Sequence, residues 1–409
     1  KGGTFKALLS KVDGQKITLP KEDASQACLA ALENASYTVG EVEKKTVRRS
    51  PAPPFITSTL QQESARKLGM SVKKTMMIAQ QLYEGVDVGE RGTIGLISYM
   101  RRDSLNLAAE ALSKIRTVIA QEFGEKFTLP EPRHYKGKKG AQEAHEAIRP
   151  VDASITPNSV VGHLSKDQFR LYDLIWKRTL ACQMQEAILD QVGADITTQG
   201  KDGRTYTFRA TGQTVQFPGF MQVYTEGVDN EDEEEKESRL PPLEQNENVT
   251  LHEPLTPLQH FTKPPPRYTE ASLVKKLEAE GIGRPSTYAP TISTIITRGY
   301  VEKEAKQLKP TEIAEVVNDV LVKHFPQIVD VKFTAEMEED LDAIAEAKKK
   351  WVPVVKAFYE PFTSLVKEKQ ETINKSDIVE EKTDEMCEKC GAPMVIKLGR
   401  FGKFLSCSN

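Results

Sequence analysis

The residues best suited to chemistry lie in Gly95–Ser104, GLISYMRRDS, where Tyr99 is followed by Arg101 and Asp103. A phenol has an ordinary pKa of about 10, so as a nucleophile at neutral pH it needs a neighbouring charge or base. A permanent guanidinium two residues away can grip a phosphate through two hydrogen bonds and stabilise charge that builds on it. The same residues fit a plainer reading, a loop tyrosine with Asp103 or Ser104 capping the helix expected at about 105–123. A second segment, AQEAHEAIRP at 141–150, sets His145 and Arg149 four positions apart, on one face if the stretch is helical. It follows RHYKGKKG at 133–140, a basic, glycine-containing loop suited to phosphates, although His145 by itself also fits a structural histidine.

Two further segments carry spacing of interest. Residues 267–301, RYTEASLVKKLEAEGIGRPSTYAPTISTIITRGYV, read as a helix from Glu270 to Glu280, a GIGRPS turn, and a second helix from Thr287 to Arg298. Ser286 is a candidate cap for that second helix, Arg284 and Thr287 stand at its N-terminus where backbone donors favour anions, and Tyr300–Lys309 could form a wing. An ordinary helical hairpin satisfies the same pattern. Near the C-terminus Cys387 and Cys390 are separated by two residues, with Cys407 beyond them and glycines between. Two thiols at that spacing begin a structural zinc knuckle, and three leave a tetrahedral zinc one ligand short, which reads as a partial zinc ribbon.

The elements that position these residues emerge from pattern and composition. The 409 residues allow two to four domains, and an apolar content of 38% with 28% charged residues excludes a membrane protein, a disulfide-rich secreted domain and a wholly disordered chain. No apolar run approaches the ~18–20 residues of a membrane span, no signal peptide opens the sequence, and cytosol is the expected compartment. The chain begins at Lys1 rather than methionine, which reads as an excised piece of a longer protein. The net charge of −3 hides an acidic run at Asp229–Glu237, without which the rest carries +3, a mildly basic body compatible with a polyanion.

Asp13-Gly14 predicts a hairpin within 5–20, followed by a helix at 21–33 and a strand at 37–48. Helical spacing returns at 57–68, 71–84 and 165–186, and the alternation over 187–224 predicts strands turning at Asp202-Gly203. Helices flanked by β-rich pieces suggest a helical domain inserted into a β domain. Cys28 and Cys182 fall on helical patterns and are expected to be buried and inert.

Taken in order, GLISYMRRDS, AQEAHEAIRP, GIGRPSTYAPTISTIITRGYV and the terminal cysteine module closely resemble bacterial type IA DNA topoisomerases, as does PPFITSTLQQESARKLGMSVKKTMMIAQQLYEG at 53–85. The resemblance extends over essentially the whole chain. It implies that Tyr99 attacks a DNA phosphodiester to form a 5′-phosphotyrosine link, that a strand passes through the gap, and that the free 3′-hydroxyl reverses the attack without ATP. Arg101 would then contact the scissile phosphate, Asp103 orient that arginine, and His145 contact the same phosphate region. Arg267, Arg284 and Thr287 would bind single-stranded DNA, with Arg101 and Arg149 also assigned to DNA.

The implied fold is a multidomain α+β toroidal gate. A β-rich hinge comprises residues 1–55 and 187–256, a helical gate domain 56–186, a helical DNA-binding domain 257–370, a linker 371–385 and a truncated zinc ribbon 386–409. The expected partners are single-stranded and negatively supercoiled DNA, acted on by a monomer in the cytoplasm at the nucleoid, with zinc on Cys387, Cys390 and Cys407. Magnesium belongs, by the resemblance, to a Toprim domain that this sequence lacks, so the piece alone is expected to be inactive. The family motif usually carries threonine where this chain has Arg102, an added cation that either strengthens backbone binding or points to solvent. Two rivals remain: a tyrosine recombinase, which places its tyrosine after the histidine and arginines, and a non-catalytic single-strand-binding module with Tyr99 as a stacking platform.

Overall fold

A computed structural model describes residues 3–137, 146–228, 240–373, 380–399 and 402–409. β1 (Leu8–Val12) and β2 (Gln15–Lys16) turn through Asp13 and Gly14, whose φ angles of 49° and 76° supply the two left-handed positions of a tight hairpin. α1 (Glu22–Ala31) and the long strand β3 (Tyr37–Arg49) follow. The chain then becomes helical. α2 (Thr57–Glu63) runs into one π-helical turn over Ser64–Leu68, and α3 (Val72–Glu84) starts at Ser71, whose hydroxyl accepts from Lys74 N–H. A short hairpin of β4 (Val86–Asp87) and β5 (Thr93–Ile94) leads into the Tyr99 segment, and α4 (Ala109–Phe123) and α5 (Lys166–Ala181) complete the helical layer.

β6 (Ala187–Gln199), β7 (Thr205–Phe217) and β8 (Asn248–Val249) return to the first strands, giving an antiparallel sheet of order β2-β1-β7-β6-β3-β8. In its register Arg49 faces Ala187 and Thr38 faces Thr197. The chain therefore leaves the sheet at the end of β3 and re-enters opposite the same point, so everything between is an excursion from two paired strand ends. Cys28, Leu32, Val39, Ile196 and Tyr206 form the sheet's own core against α1. The excursion has a larger core of its own, in which Leu60, Leu82, Ile119, Ile148, Leu171 and Tyr172 are wholly buried. At ~1.5–3 kcal/mol for each large apolar side chain removed from water, that core is what fixes the helices around the Tyr99 segment.

Beyond the sheet, an extended stretch reaches α6 (Glu270–Ala279) and α7 (Tyr288–Thr297), then the hairpin β9 (Val301–Glu304) and β10 (Gln307–Pro310). The two helices and the wing expected from sequence are present. Ser286 does not cap α7, however. Thr287 occupies the cap position and turns its hydroxyl back to accept from Arg284 N–H at 2.8 Å, while also approaching Arg284 O. α8 (Glu312–His324), α9 (Pro326–Val329), α10 (Val331–Ala345) and α11 (Trp351–Thr372) follow.

A final antiparallel sheet has the order β11 (Glu380–Met386), β12 (Pro393–Gly399), β13 (Gly402–Cys407). The charged stretch 371–385 is thus not linker throughout, because Glu380–Met386 pairs with β12. An edge strand tolerates such charge since one of its sides faces water.

Candidate active site around Tyr99

Tyr99 stands on a non-helical segment in which Leu96, Ile97 and Met100 are buried to 1% exposure. Gly95 opens it because a side chain there would meet the Tyr83 carbonyl oxygen at 2.6 Å, and Leu96 N–H donates to Leu82 O at 2.7 Å. On its other side runs 146–151. Ser98 N–H donates to Arg149 O at 2.8 Å, while the Ser98 hydroxyl donates to Ala147 O at 2.7 Å and accepts from Arg149 N–H at 3.0 Å.

α2 supplies the next clamp. Thr57 is wholly buried, and its N–H donates to Arg102 O at 2.8 Å. Its hydroxyl accepts from Arg102 N–H at 2.8 Å and lies 2.8 Å from Met100 O and 3.0 Å from Arg102 O, to one of which it donates. The backbone on both sides of Arg101 is therefore fixed by one threonine, and Arg101 itself is exposed.

The half-buried Tyr99 ring lies edge to face with Tyr83, centroids 5.3 Å apart at 64°, and the Arg102 guanidinium carbon is 5.1 Å from its centroid. Burial first, and then nearby charges including Glu278, Glu338 and Asp103, push the Tyr288 phenol up to about 12, with the Arg284 charge acting in the opposite direction. Tyr99 and Ala289 of α7 both pack against the larger apolar core. The apolar cluster of Val72, Val274, Tyr288 and Ile292 joins α3 to α6 and α7. Beside it, the buried Glu270 carboxylate accepts Val72 N–H at 2.7 Å and pairs with Lys303.

Several expectations need correction. α4 begins at Ala109, not near 105, and neither Asp103 nor Ser104 caps it. The Ser104 hydroxyl accepts Asn106 N–H at 3.2 Å, and the Glu146 carboxylate accepts Ala108 N–H at 2.7 Å in the cap's place. His145 lies outside the described residues. Residues 146–150 are not helical: Ile148 bridges to Phe55 and Pro150 to Ile97 as extended pairs, so Arg149 does not share a helix face with position 145.

Arg149 is drawn inward, 14% exposed, donating to Glu146 Oε2 at 2.7 Å, Pro150 O at 2.9 Å and Val151 O at 3.3 Å, so it braces its own segment. Arg284 donates to Asp342 Oδ2 at 2.6 Å and lies 3.7 Å from Glu338 Oε2, which ties its turn to α10. Thr287 and Arg267 are exposed. Thr57, Tyr83, Glu146 and Glu270 were not legible as site residues. Only the place of Thr57 within PPFITSTLQQ offered a signal, and its partners lie about 45 positions away.

Cys387, Cys390 and Cys407 place their sulfurs within 4.8 Å of one another. Backbone N–H groups of Lys389 and Cys390 directed at the Cys387 sulfur pull that thiol down to about 7. Three converging thiols, one already favouring its thiolate, suit zinc. Among the described residues this is the one cluster of three or more His, Cys, Asp or Glu that could close on a metal, so a magnesium site of acidic residues does not fit them. Cys182 is wholly buried, as expected, and burial pushes its thiol up to about 12.

No helix among the described residues is long and apolar enough to cross a membrane. The DNA topoisomerase family model matches residues 3–356, and the model for the topoisomerase DNA-binding C4 zinc finger matches 384–409. The solved full-length topoisomerase I of Thermotoga maritima is similar at 36% identity and a TM-score of 0.76, over 99% of this chain. The match covers 64% of that protein, so the chain spans less than two thirds of its relative's length. With a multidomain α+β architecture and the Tyr99 loop clamped between α2 and residues 146–151, the chain belongs to the bacterial type IA DNA topoisomerase I family.

Proposed function

We propose that the chain carries the nucleophile and the strand-holding surfaces of an enzyme that relaxes negatively supercoiled DNA without ATP. The observation that carries this reading is the Tyr99 segment. Its backbone is fixed on both sides, its ring is held between Tyr83 and Arg102, and Arg101 is exposed two residues away. In the reaction the Tyr99 oxygen bonds to phosphorus as the P–O3′ bond breaks. The phenol loses its proton and the departing 3′-oxygen gains one. One phosphodiester replaces another, so the reversal needs no external energy. Arg101 would bind the scissile phosphate, with Asp103 beside it and His145 on the same phosphate region. Arg149, Arg267, Arg284 and Thr287 would serve the strand.

The sheet of 1–55 and 187–256 would act as a hinge, 56–186 as the moving gate and 257–370 as the module that holds DNA, in a cytoplasmic monomer. Magnesium would be held outside the described residues, on a metal-binding domain that the family resemblance places before this chain, and no step here is routed through it. Zinc would sit on Cys387, Cys390 and Cys407, where it supplies a structural cross-link.

The test incubates 5′- and 3′-labelled single-stranded oligonucleotide with magnesium, with and without an added N-terminal metal-binding domain, followed by denaturation. A 5′-linked adduct that disappears in Tyr99→Phe supports the reading. A 3′-linked, metal-independent adduct favours recombinase chemistry. Binding without any adduct leaves a single-strand clamp.

A further inference from the structure

We propose that Arg102 is a positioning residue for the nucleophile in this chain, holding the Tyr99 ring by a cation–π contact against Tyr83. The inference rests on Tyr99 being the nucleophile. A guanidinium within ~6 Å of a ring centroid is attracted to the face of the ring, and the Arg102 carbon lies 5.1 Å from that of Tyr99. Tyr83 meets the same ring edge to face at 5.3 Å, so the phenol is gripped by two partners of different kinds. Neither grip depends on DNA, so the ring is ordered before a strand arrives, which removes freedom that would otherwise be lost at the moment of attack.

The arrangement is braced from behind. Thr57 bonds the main chain of residue 102 through both its N–H and C=O, which sets the direction in which the Arg102 side chain leaves the backbone. These are backbone bonds and survive a change of the side chain, so substitutions at 102 can remove the cation while the loop keeps its path. Two other roles for this residue differ in what they predict. As a phosphate ligand, Arg102 would leave the ring and contribute to affinity. As a solvent-facing residue, it would contribute to neither affinity nor rate.

The experiment uses the full chain with the metal-binding domain supplied, and compares Arg102→Met, Arg102→Thr and Arg102→Lys, with Tyr99→Phe as control. Single-turnover cleavage is measured at saturating labelled single-stranded oligonucleotide, and affinity is measured across a salt series. Loss of the cation should slow saturated cleavage by about three- to thirtyfold while the dissociation constant and its salt slope hold, and lysine should recover most of the rate. A salt slope reduced by about 0.7, with the saturated rate intact, would mean a phosphate contact and overturn the proposal. Unchanged rate and affinity would overturn it as well.

If Tyr99→Phe still yields adduct, the nucleophile assignment itself fails, an outcome separate from those at Arg102. A readout independent of cleavage is the flip rate of the Tyr99 ring, followed by NMR with selectively labelled tyrosine. It should rise in Arg102→Met and Arg102→Thr and fall back in Arg102→Lys. An equal rate in all four proteins sinks the idea.

Discussion

Thr57 links the first turn of α2 to the loop that carries Arg101, and its hydroxyl cannot be replaced by a methyl group without cost. In Thr57→Val the shape is kept but Arg102 N–H loses its acceptor inside a wholly buried site. A buried donor left unpaired costs about 1–3 kcal/mol, so the chemical-denaturation midpoint should fall accordingly, and adduct formation with it. Thr57→Ser keeps the hydroxyl and should restore most of both. Equal stability of the valine and serine variants would show that the hydroxyl does not hold the loop. At this scale residue type and spacing single out Tyr99, Arg101 and Asp103 as candidates. What Arg102 does was not legible, because the direction of its side chain is set by Thr57, distant in sequence. The local pairing of Arg149 with Glu146 was likewise not legible, since it depends on the path of the chain at 146–150.

Among the elements, α3 is capped from another part of the molecule. Ser71 satisfies Lys74 N–H, but Val72 N–H is taken by Glu270 at the start of α6, which also pairs with Lys303 beside it. Glu270→Ala would strand a buried donor and a partly exposed lysine together, at about 1–3 kcal/mol, and loosen α6 and α7 from α3. Hydrogen exchange should rise in 270–297 with little change in the β3–β6–β7 sheet, and an unaltered exchange pattern would sink the assignment. Glu270→Gln retains an acceptor and should be milder.

α5 gives a pH dependence of definite sign. The folded chain raises Cys182 from 9 to about 12, and burial raises Tyr172 above its ordinary 10. Raised acids bind their protons more tightly in the fold, so their contribution is complete below pH ~9 and is lost as pH climbs from there toward ~12. Urea midpoints should therefore fall through this window, less steeply in Cys182→Ala. Helices and strands of this kind were legible from periodicity, whereas the start of α4 was not, since its N-cap is Ala108, whose N–H is held by Glu146 from a later segment. Likewise Ile148 and Pro150 pair with Phe55 and Ile97 as extended chain, so Arg149 does not lie on a helix face.

At the scale of the whole molecule the parts are stabilised by different means. The sheet and the helical excursion have extensive apolar cores, and α3 meets α6 and α7 through a smaller one. The terminal β11–β13 sheet has no comparable interior: among its described residues Val395 is the buried apolar side chain, while Phe404 and Leu405 are half exposed at 50% and 45%. So small a body needs a cross-link, and the three converging cysteines are positioned to share one. It also touches the rest of the chain, through Lys403 N–H donating to Glu312 Oε2 at 3.2 Å at the start of α8.

Removing zinc with a chelator under reducing conditions should accordingly unfold this sheet alone. Backbone amides of 380–407 would lose exchange protection, while the main thermal transition, governed by the apolar cores, would hold its midpoint. Cys390→Ser should reproduce that pattern without chelator. Retained protection in 380–407 after zinc removal would show that strand pairing suffices without metal. A shift of the main transition would show instead that the contact with α8 couples the ribbon to the body that holds Tyr99.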